Sequence, residues 1–364
     1  MKLSAIIAAL ETLAPPDLQE SYDNAGLITG NPDMDITGAV ICLDSIEAII
    51  DEAISKKCNL VVAHHPIVFS GLKKITGKNY IERVIIKAIK NDIAIYAIHT
   101  NLDNVMHGVN AKIAEKLGLK NVRILSEMSS SILKLGTYVP HSEAEKVTEA
   151  LFAAGAGHIG NYSECSFKTE GTGTFKAGNG ANPHIGEKNI RHYEPESRIE
   201  VILESRLKNK VMAALKAAHP YEEVAYDIQR LENNNQYTGA GMIGELETAM
   251  PAENFLKSLK ISMETECIRH TSHFGKTIKK VAVCGGAGSF LLGNAIAAGA
   301  DIFITGDFKY HQFFDADGKI IIADIGHFES EQHTIELLGD WLREKFPTFA
   351  VHLTEINTNP INYI

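Results

Sequence analysis

The sequence predicts an α/β protein in which two related α/β halves form one domain, interrupted by an α+β insertion. Three observations carry this. Short apolar runs alternate with segments of helical period in the first third of the chain. The same alternation returns in the last third. Between them the element order changes and the composition turns glycine-rich. At 364 residues the chain has room for about two domains at roughly 150 residues each.

The first half opens with Leu3, Ile6, Ile7, Leu10 and Leu13, which is helical spacing. Gly38–Asp44 (GAVICLD) reads as a buried strand, and Ser45 is placed to cap a helix running to Lys57. Asn59–Ala63 is a second strand, Tyr80–Asn91 a helix and Ile93–Ile98 a third strand. Gly108–Leu117 is a helix stopped by Gly118. In the last third, Lys280–Cys284, Asp301–Thr305, Lys319–Ala323 and Thr348–Leu353 read as strands. Phe328–Lys345 reads as one long amphipathic helix.

The middle reads differently. Lys134–Val139 is a strand and Glu143–Ala154 a helix, and Gly171–Gly186 reads as loop or hairpin tips. Arg198–Leu203 is a strand, Leu207–Ala218 a helix and Val224–Leu231 a strand. That is β-α-β-β-α-β order, the ferredoxin-like pattern. The expected division is therefore a discontinuous α/β domain, residues 1–128 and 236–364, and an inserted ferredoxin-like domain, 129–235, with Asn233–Asn235 as the return linker.

Hydrophobic residues make up 45% and charged residues 22%, near the globular average, so disordered, collagen-like and disulfide-scaffold chains are excluded. Lys and Arg number 35 against 45 Asp and Glu, a net −10, so nucleic acid and anionic membranes are not expected partners. The five cysteines form no CxxC pair, which fits a reducing cytoplasm. Val281–Ala300 carries no charge, but its glycines favour a strand, a turn and a helix over a membrane span.

The residues able to do chemistry sit at expected strand C-termini, where open α/β sheets place their sites. His64-His65-Pro66 follows the second strand. His99-Thr100-Asn101-Leu102-Asp103 follows the third. His327 and Glu331 follow Lys319–Ala323, four apart on one helical face, whereas Glu329 is turned away. His64, His65, Asp103, His327 and Glu331 give three imidazoles and two carboxylates, a set suited to Zn, Fe, Mn, Co or Ni. Five ligands sharing a carboxylate fit two divalent ions about 3.5–4 Å apart. His99, Asp307 and His311 are candidates to orient these ligands or to move protons. Alternative readings stay open for each motif taken alone: loop histidines, turn formation by Asn101 and Asp103, and a helix first turn made acidic by Glu329 and Glu331. The loop Cys284–Ser289 lacks the Lys-Ser/Thr of a phosphate loop and reads as a tight turn.

Taken in order, YDNAGL at 22–27, HHP, HTNLD, GGAGS, TGDFKYHQ and GHFESEQ resemble the NIF-three-like family, the dinuclear-metal-centre hexameric family or GTP cyclohydrolase 1 type 2 homologs. The resemblance covers nearly the whole chain. GAGHIGNYSECSF, TEGTGTF and AHPYEEVAYDI resemble the inserted domain of the long bacterial members. It implies a toroidal homohexamer and an insertion similar to signal-protein-PII-like and copper-tolerance trimers. By matching motifs it implies a two-metal site on His64, His65, Asp103, His327 and Glu331, with Glu331 bridging. Tyr22 departs from a frequent Trp of the family and leaves the ligand set intact. The family name implies ring opening of GTP. A non-catalytic regulator or metal-handling protein, with the insertion sensing a ligand, is the competing expectation.

Overall fold

The computed structural model describes residues 1–129 and 131–364, a mixed α/β structure with three sheets and 11 α-helices among the described residues. The chain divides into two compact units, Met1–Glu127 with Tyr237–Ile364, and Met128–Gln236.

The first unit is built around two sheets. The five-stranded sheet runs in the order Gly26–Thr29, Ala94–Ala97, Leu60–His65, Gly38–Asp44, Ala350–Leu353. All neighbours in it are parallel except the edge strand Gly26–Thr29. The six-stranded sheet runs Arg269–His270, Ile321–Asp324, Ile302–Gly306, Thr277–Ala287, Asn235–Pro251, Lys120–Met128. Its central three strands are parallel. The inner parallel strands Gly38–Asp44, Leu60–His65, Ile302–Gly306 and Ile321–Asp324 are buried on both faces, which is why they read as continuous apolar runs. Val40, Cys42, Val61 and Ile95 pack with Ile49, Ile50, Val84 and Ala88 of the covering helices; Ala282, Phe303 and Ile322 pack with Leu292, Ala295 and Phe308.

Local chemistry explains where elements begin. The helix Tyr80–Lys90 is capped by Asn79, whose side chain accepts from the Glu82 N–H at 2.8 Å. The expected Ser45 cap does not form: the helix is Glu47–Ser55, its N-cap is Ile46, and the Ser45 hydroxyl is buried without a partner. The expected single helix 328–345 is two, His327–Glu331 and Thr334–Lys345. Ser330 donates back to the His327 carbonyl at 2.7 Å, and Ile335 bonds Gln332 with i, i−3 spacing, so the ladder tightens and the axis breaks. Pattern reading assigned nothing between 236 and 279, where the long strand Asn235–Pro251 and the helix Ala252–Ser262 lie.

The second unit is one antiparallel sheet in the order Ser166–Lys176, Arg191–Glu204, Ile132–Pro140, Tyr226–Arg230. Helices Ala144–Ala153 and Lys208–Ala218 bury Val147, Leu151, Val211 and Leu215 against Leu133, Leu135, Val139, Ile199 and Val201. Gly171 and Gly173 lie in a strand and not at a hairpin tip. At Gly173 the physical reason is a partner distant in sequence: a Cβ there would stand 2.0 Å from Oε2 of Glu196, whose Oε1 accepts from the Tyr221 hydroxyl at 3.0 Å.

Candidate metal centre

The C-terminal ends of the parallel strands in the first unit carry the site. His64 and His65 end the strand Leu60–His65. Asp103 ends a one-turn helix, Thr100–Asp103, that follows Ala94–Ala97. His327 opens and Glu331 closes the short helix after Ile321–Asp324. The structure brings all five side chains together. The adjacent rings of His64 and His65 converge, with centroids 4.9 Å apart, because the strand ends there.

Three imidazoles share one arrangement. Nδ1 of His64 donates to the Ile98 carbonyl, Nδ1 of His65 to Asp44 Oδ1 and Nδ1 of His327 to Asp307 Oδ2, each at 2.8 Å. Holding the proton on Nδ1 frees Nε2 as a donor of electrons toward a common centre. There Glu331 Oε2 lies 2.9 Å from His65 Nε2 and 3.1 Å from His327 Nε2, and these two nitrogens are 3.3 Å apart. Glu331 Oε1 is 3.7 Å and Asp103 Oδ1 3.8 Å from His64 Nε2. Nε2 of His64 and Oδ1 of Asp103 are buried without a hydrogen-bond partner. Buried acceptors are normally satisfied, so two orphans facing each other need a ligand that accepts electron pairs. His65, His327 and Glu331 form one group able to hold a metal ion, and His64, Asp103 and Glu331 another, with Glu331 common to both.

The electrostatics agree. Burial pushes the Asp103 carboxyl up, and the neighbouring Glu331 charge adds to this, to about 7. Burial also opposes the charge on Glu331, but His327 and His64 hold its pKa well below the usual range. Burial works to lower His65, yet Asp44 and Glu331 lift it to about 10. His327 follows the same pattern: burial lowers it, while Glu331 and Asp307 raise it to about 9. Clustered carboxylates thus draw positive charge into the site.

The glycine loop serves this geometry. The strand Thr277–Ala287 runs through Gly285 and Gly286 rather than stopping at Cys284. Gly286 has φ +62°, and a Cβ there would stand 2.4 Å from Glu331 Oε1. The pair of glycines leaves the space that the Glu331 carboxylate fills. Ser330 anchors the same junction by accepting the Gly286 N–H at 2.9 Å.

Of the three supporting candidates, Asp307 holds His327 and sits at φ +59°, a left-handed conformation that Asp tolerates. His99 packs edge-on to His64 and His65, with centroids at 5.3 and 5.4 Å, and its Nδ1 donates to Asp23 Oδ1 at 2.8 Å. Burial opposes the Asp23 charge, but hydrogen bonds from His99 and Thr100 bring its pKa down to about 2. His311 is exposed, its ring against Tyr310 and Phe314 rather than the cluster. Pattern reading missed Asp44 as a support. Its signal was available: it ends the strand Gly38–Asp44 beside His65. In front of the cluster lies a cavity of about 410 Å³. Its walls include Glu20, Tyr22, His99, Thr100, Asp103, Asn110, Phe290, His327 and Glu331.

The family profile described as Duf34/NIF3 (NGG1p interacting factor 3) matches residues 1–360. A Halalkalibacterium halodurans protein called GTP cyclohydrolase 1 type 2 homolog is 40% identical over 99% of this chain and 98% of its own. A Bacillus subtilis protein of the same name is 36% identical over 99% and 98%. The crystal structure of a Bacillus cereus protein related to NIF3 superposes with a TM-score of 0.86 at 37% identity, covering 100% of this chain and 99% of that one. With its two half-sheets, its cluster of histidines and carboxylates and these full-length likenesses, the chain belongs to the Duf34/NIF3 family.

Proposed function

We propose that the chain binds two divalent metal ions, from among Zn, Fe, Mn, Co and Ni, and uses them for hydrolysis, with ring opening of GTP as the reaction its relatives' names suggest. One observation carries the metal reading: buried, unpartnered His64 Nε2 and Asp103 Oδ1 face a carboxylate that also meets two other Nε2 atoms. His65, His327 and Glu331 would hold one ion, and His64, Asp103 and Glu331 the other, with Glu331 shared. When bound, such a pair supplies a water-derived nucleophile at neutral pH and polarises the group under attack. Asp44, Asp307 and the Ile98 carbonyl fix the imidazoles in the ligating tautomer. His99, oriented by Asp23, is placed beside the cluster to hold or pass a proton. Tyr22 and Phe290 offer ring faces at the cavity walls for a planar substrate.

A second reading is a non-catalytic regulatory or metal-handling protein. It is favoured by the cavity lining, which carries Glu20 and, among the described residues, no lysine or arginine to pair with a triphosphate. In this second reading the segment 129–235, an inserted ferredoxin-like, PII-like domain, senses a ligand; its four-stranded antiparallel order supports the ferredoxin-like fold. A hexameric ring is supported by the family likeness, and a reducing cytoplasm by five unpaired cysteines. Turnover of GTP by metal-loaded protein, lost in a folded His64→Ala variant, supports the hydrolase. Metal binding with no nucleotide turnover supports the second reading.

A further inference from the structure

The chain beyond the last strand, Ala350–Leu353, has no regular structure, yet its side chains return to the metal centre. It is anchored first on Glu52. The Thr354 hydroxyl donates to Glu52 Oε2, and the Glu355 N–H donates to Oε1 at 3.0 Å. Four residues on, the Thr358 hydroxyl donates to Asp44 Oδ2 at 2.9 Å. The other oxygen of that carboxylate is the one that takes the His65 Nδ1 proton. The next residue, Asn359, donates through Nδ2 to Glu329 Oε1 at 3.0 Å. Tyr363 also hydrogen-bonds Glu329, so its phenol is pushed up to about 12, first by burial and then by that contact.

Two neighbouring residues thus reach, from two different elements, the supports of one ligand set, His65 with His327 and Glu331. Asp44 ends a strand of the five-stranded sheet and orients His65. Glu329 lies in the short helix whose ends are His327 and Glu331. The segment is rigid enough to transmit this. Asn359 is fixed at both arms: its Oδ1 accepts the Ile361 N–H at 3.0 Å while Nδ2 serves Glu329. The Asn359 N–H is itself taken by Asn357 Oδ1 at 2.9 Å, and Pro360 holds Asn359 out of the helical region. Thr358 is 8% exposed, so its hydroxyl bond to Asp44 lies in a largely desolvated setting where losing it is costly.

We propose that the C-terminal segment is a strap of the metal centre, with Thr358 and Asn359 as positioning residues that fix His65 relative to the His327–Glu331 helix. The proposal rests on the metal reading above. Without the Thr358 hydroxyl, Asp44 keeps only one of its two side-chain partners and can rotate, which lets the His65 ring tilt. Without the Asn359 amide, the helix bearing His327 and Glu331 loses one of the ties, through Glu329, that hold it to the C-terminal segment.

The test uses the full chain loaded with cobalt(II), comparing wild type, Thr358→Val, Thr358→Ser and Asn359→Ala. Cobalt affinity is measured by competition with a chelator, the ligand field by visible absorption, and the fold by melting the metal-free protein. Thr358→Val and Asn359→Ala should each bind cobalt about tenfold more weakly, with a changed absorption band, while Thr358→Ser stays within about twofold of wild type. Metal-free Thr358→Val should still melt cooperatively, with its midpoint lowered only by the lost hydrogen bond. The strap is refuted if both variants bind as wild type does, or if Thr358→Ser loses as much as Thr358→Val. Should Thr358→Val not fold, Asn359→Ala with Thr358→Ser decides by the same criteria. Failure of wild type itself to bind cobalt would instead refute the metal reading.

Discussion

Replacing Glu331 by glutamine removes one charge and changes little else in volume. Glu331 is 3% exposed and within 3.1 Å of two imidazole Nε2 atoms, and it is shared by two of the three groups of side chains able to hold an ion, the third being His64, His65 and His99. An amide offers one neutral oxygen and cannot bridge two cations as a carboxylate does. Even counting the ion as a single positive charge about 4 Å away, the lost carboxylate charge is worth about 4 kcal/mol at an effective dielectric near 20, and a divalent ion only raises this. At about 1.4 kcal/mol per factor of ten, the loss corresponds to roughly a thousandfold in metal affinity. Glu331→Gln should therefore lose at least one ion per chain at micromolar free metal. Glu329→Gln is the control. Its side chain bonds Asn359 and faces away from the imidazoles, and an amide oxygen can still accept there, so it should keep the wild-type stoichiometry with less than about tenfold loss. Titration calorimetry with elemental analysis on both folded variants decides it. Wild-type stoichiometry and affinity in Glu331→Gln would refute the assignment.

Gly286→Ala should weaken metal binding and cost about 1–3 kcal/mol of stability, since it puts a Cβ at φ +62° and 2.4 Å from the Glu331 carboxylate; unaltered melting and metal content would contradict this. Burial opposes the Glu52 charge, but Lys56, Thr354 and the Glu355 N–H hold its pKa below the usual value. Its contribution is therefore present above the ordinary carboxylate pKa and lost as pH falls through the depressed one, so Glu52→Gln should flatten the acid limb of the stability–pH curve without moving the neutral plateau's slope. A chain joining about residue 128 to 236 should fold and keep its metals, because every candidate ligand lies in the first unit; an insoluble or metal-free product contradicts it. Light scattering should give a mass several times that of one chain, six being expected, and a monomeric mass would refute the assembly.

Much of the site was legible because its residues obey local rules. A doubled histidine at the end of LVVAHH and a His/Glu pair at i, i+4 after an apolar strand announce themselves in one dimension. Parallel strands were legible for the same reason, as apolar runs buried on both faces. What stayed hidden depends on partners distant in sequence. Asp44 gains its role from His65, 21 residues on, and from Thr358, 314 residues on. Gly286 read as a turn because nothing local says that Glu331 needs its Cβ position. Gly171 and Gly173 read as hairpin tips because the Glu196 carboxylate that fills their strand is 23 residues from Gly173. The helix 328–345 read as continuous because its apolar period is unbroken, whereas its break is made where the Ser330 hydroxyl donates to the His327 carbonyl and accepts the N–H of Gly286, 44 residues earlier.

The claim that these five residues hold two metal ions is met most directly by anomalous scattering from crystals of the full chain purified without added metal. Two anomalous peaks per chain are expected among His64, His65, Asp103, His327 and Glu331, with Glu331 shared by both. A single peak bound by only one triad, or none at the cluster in protein saturated with divalent metal, would contradict it.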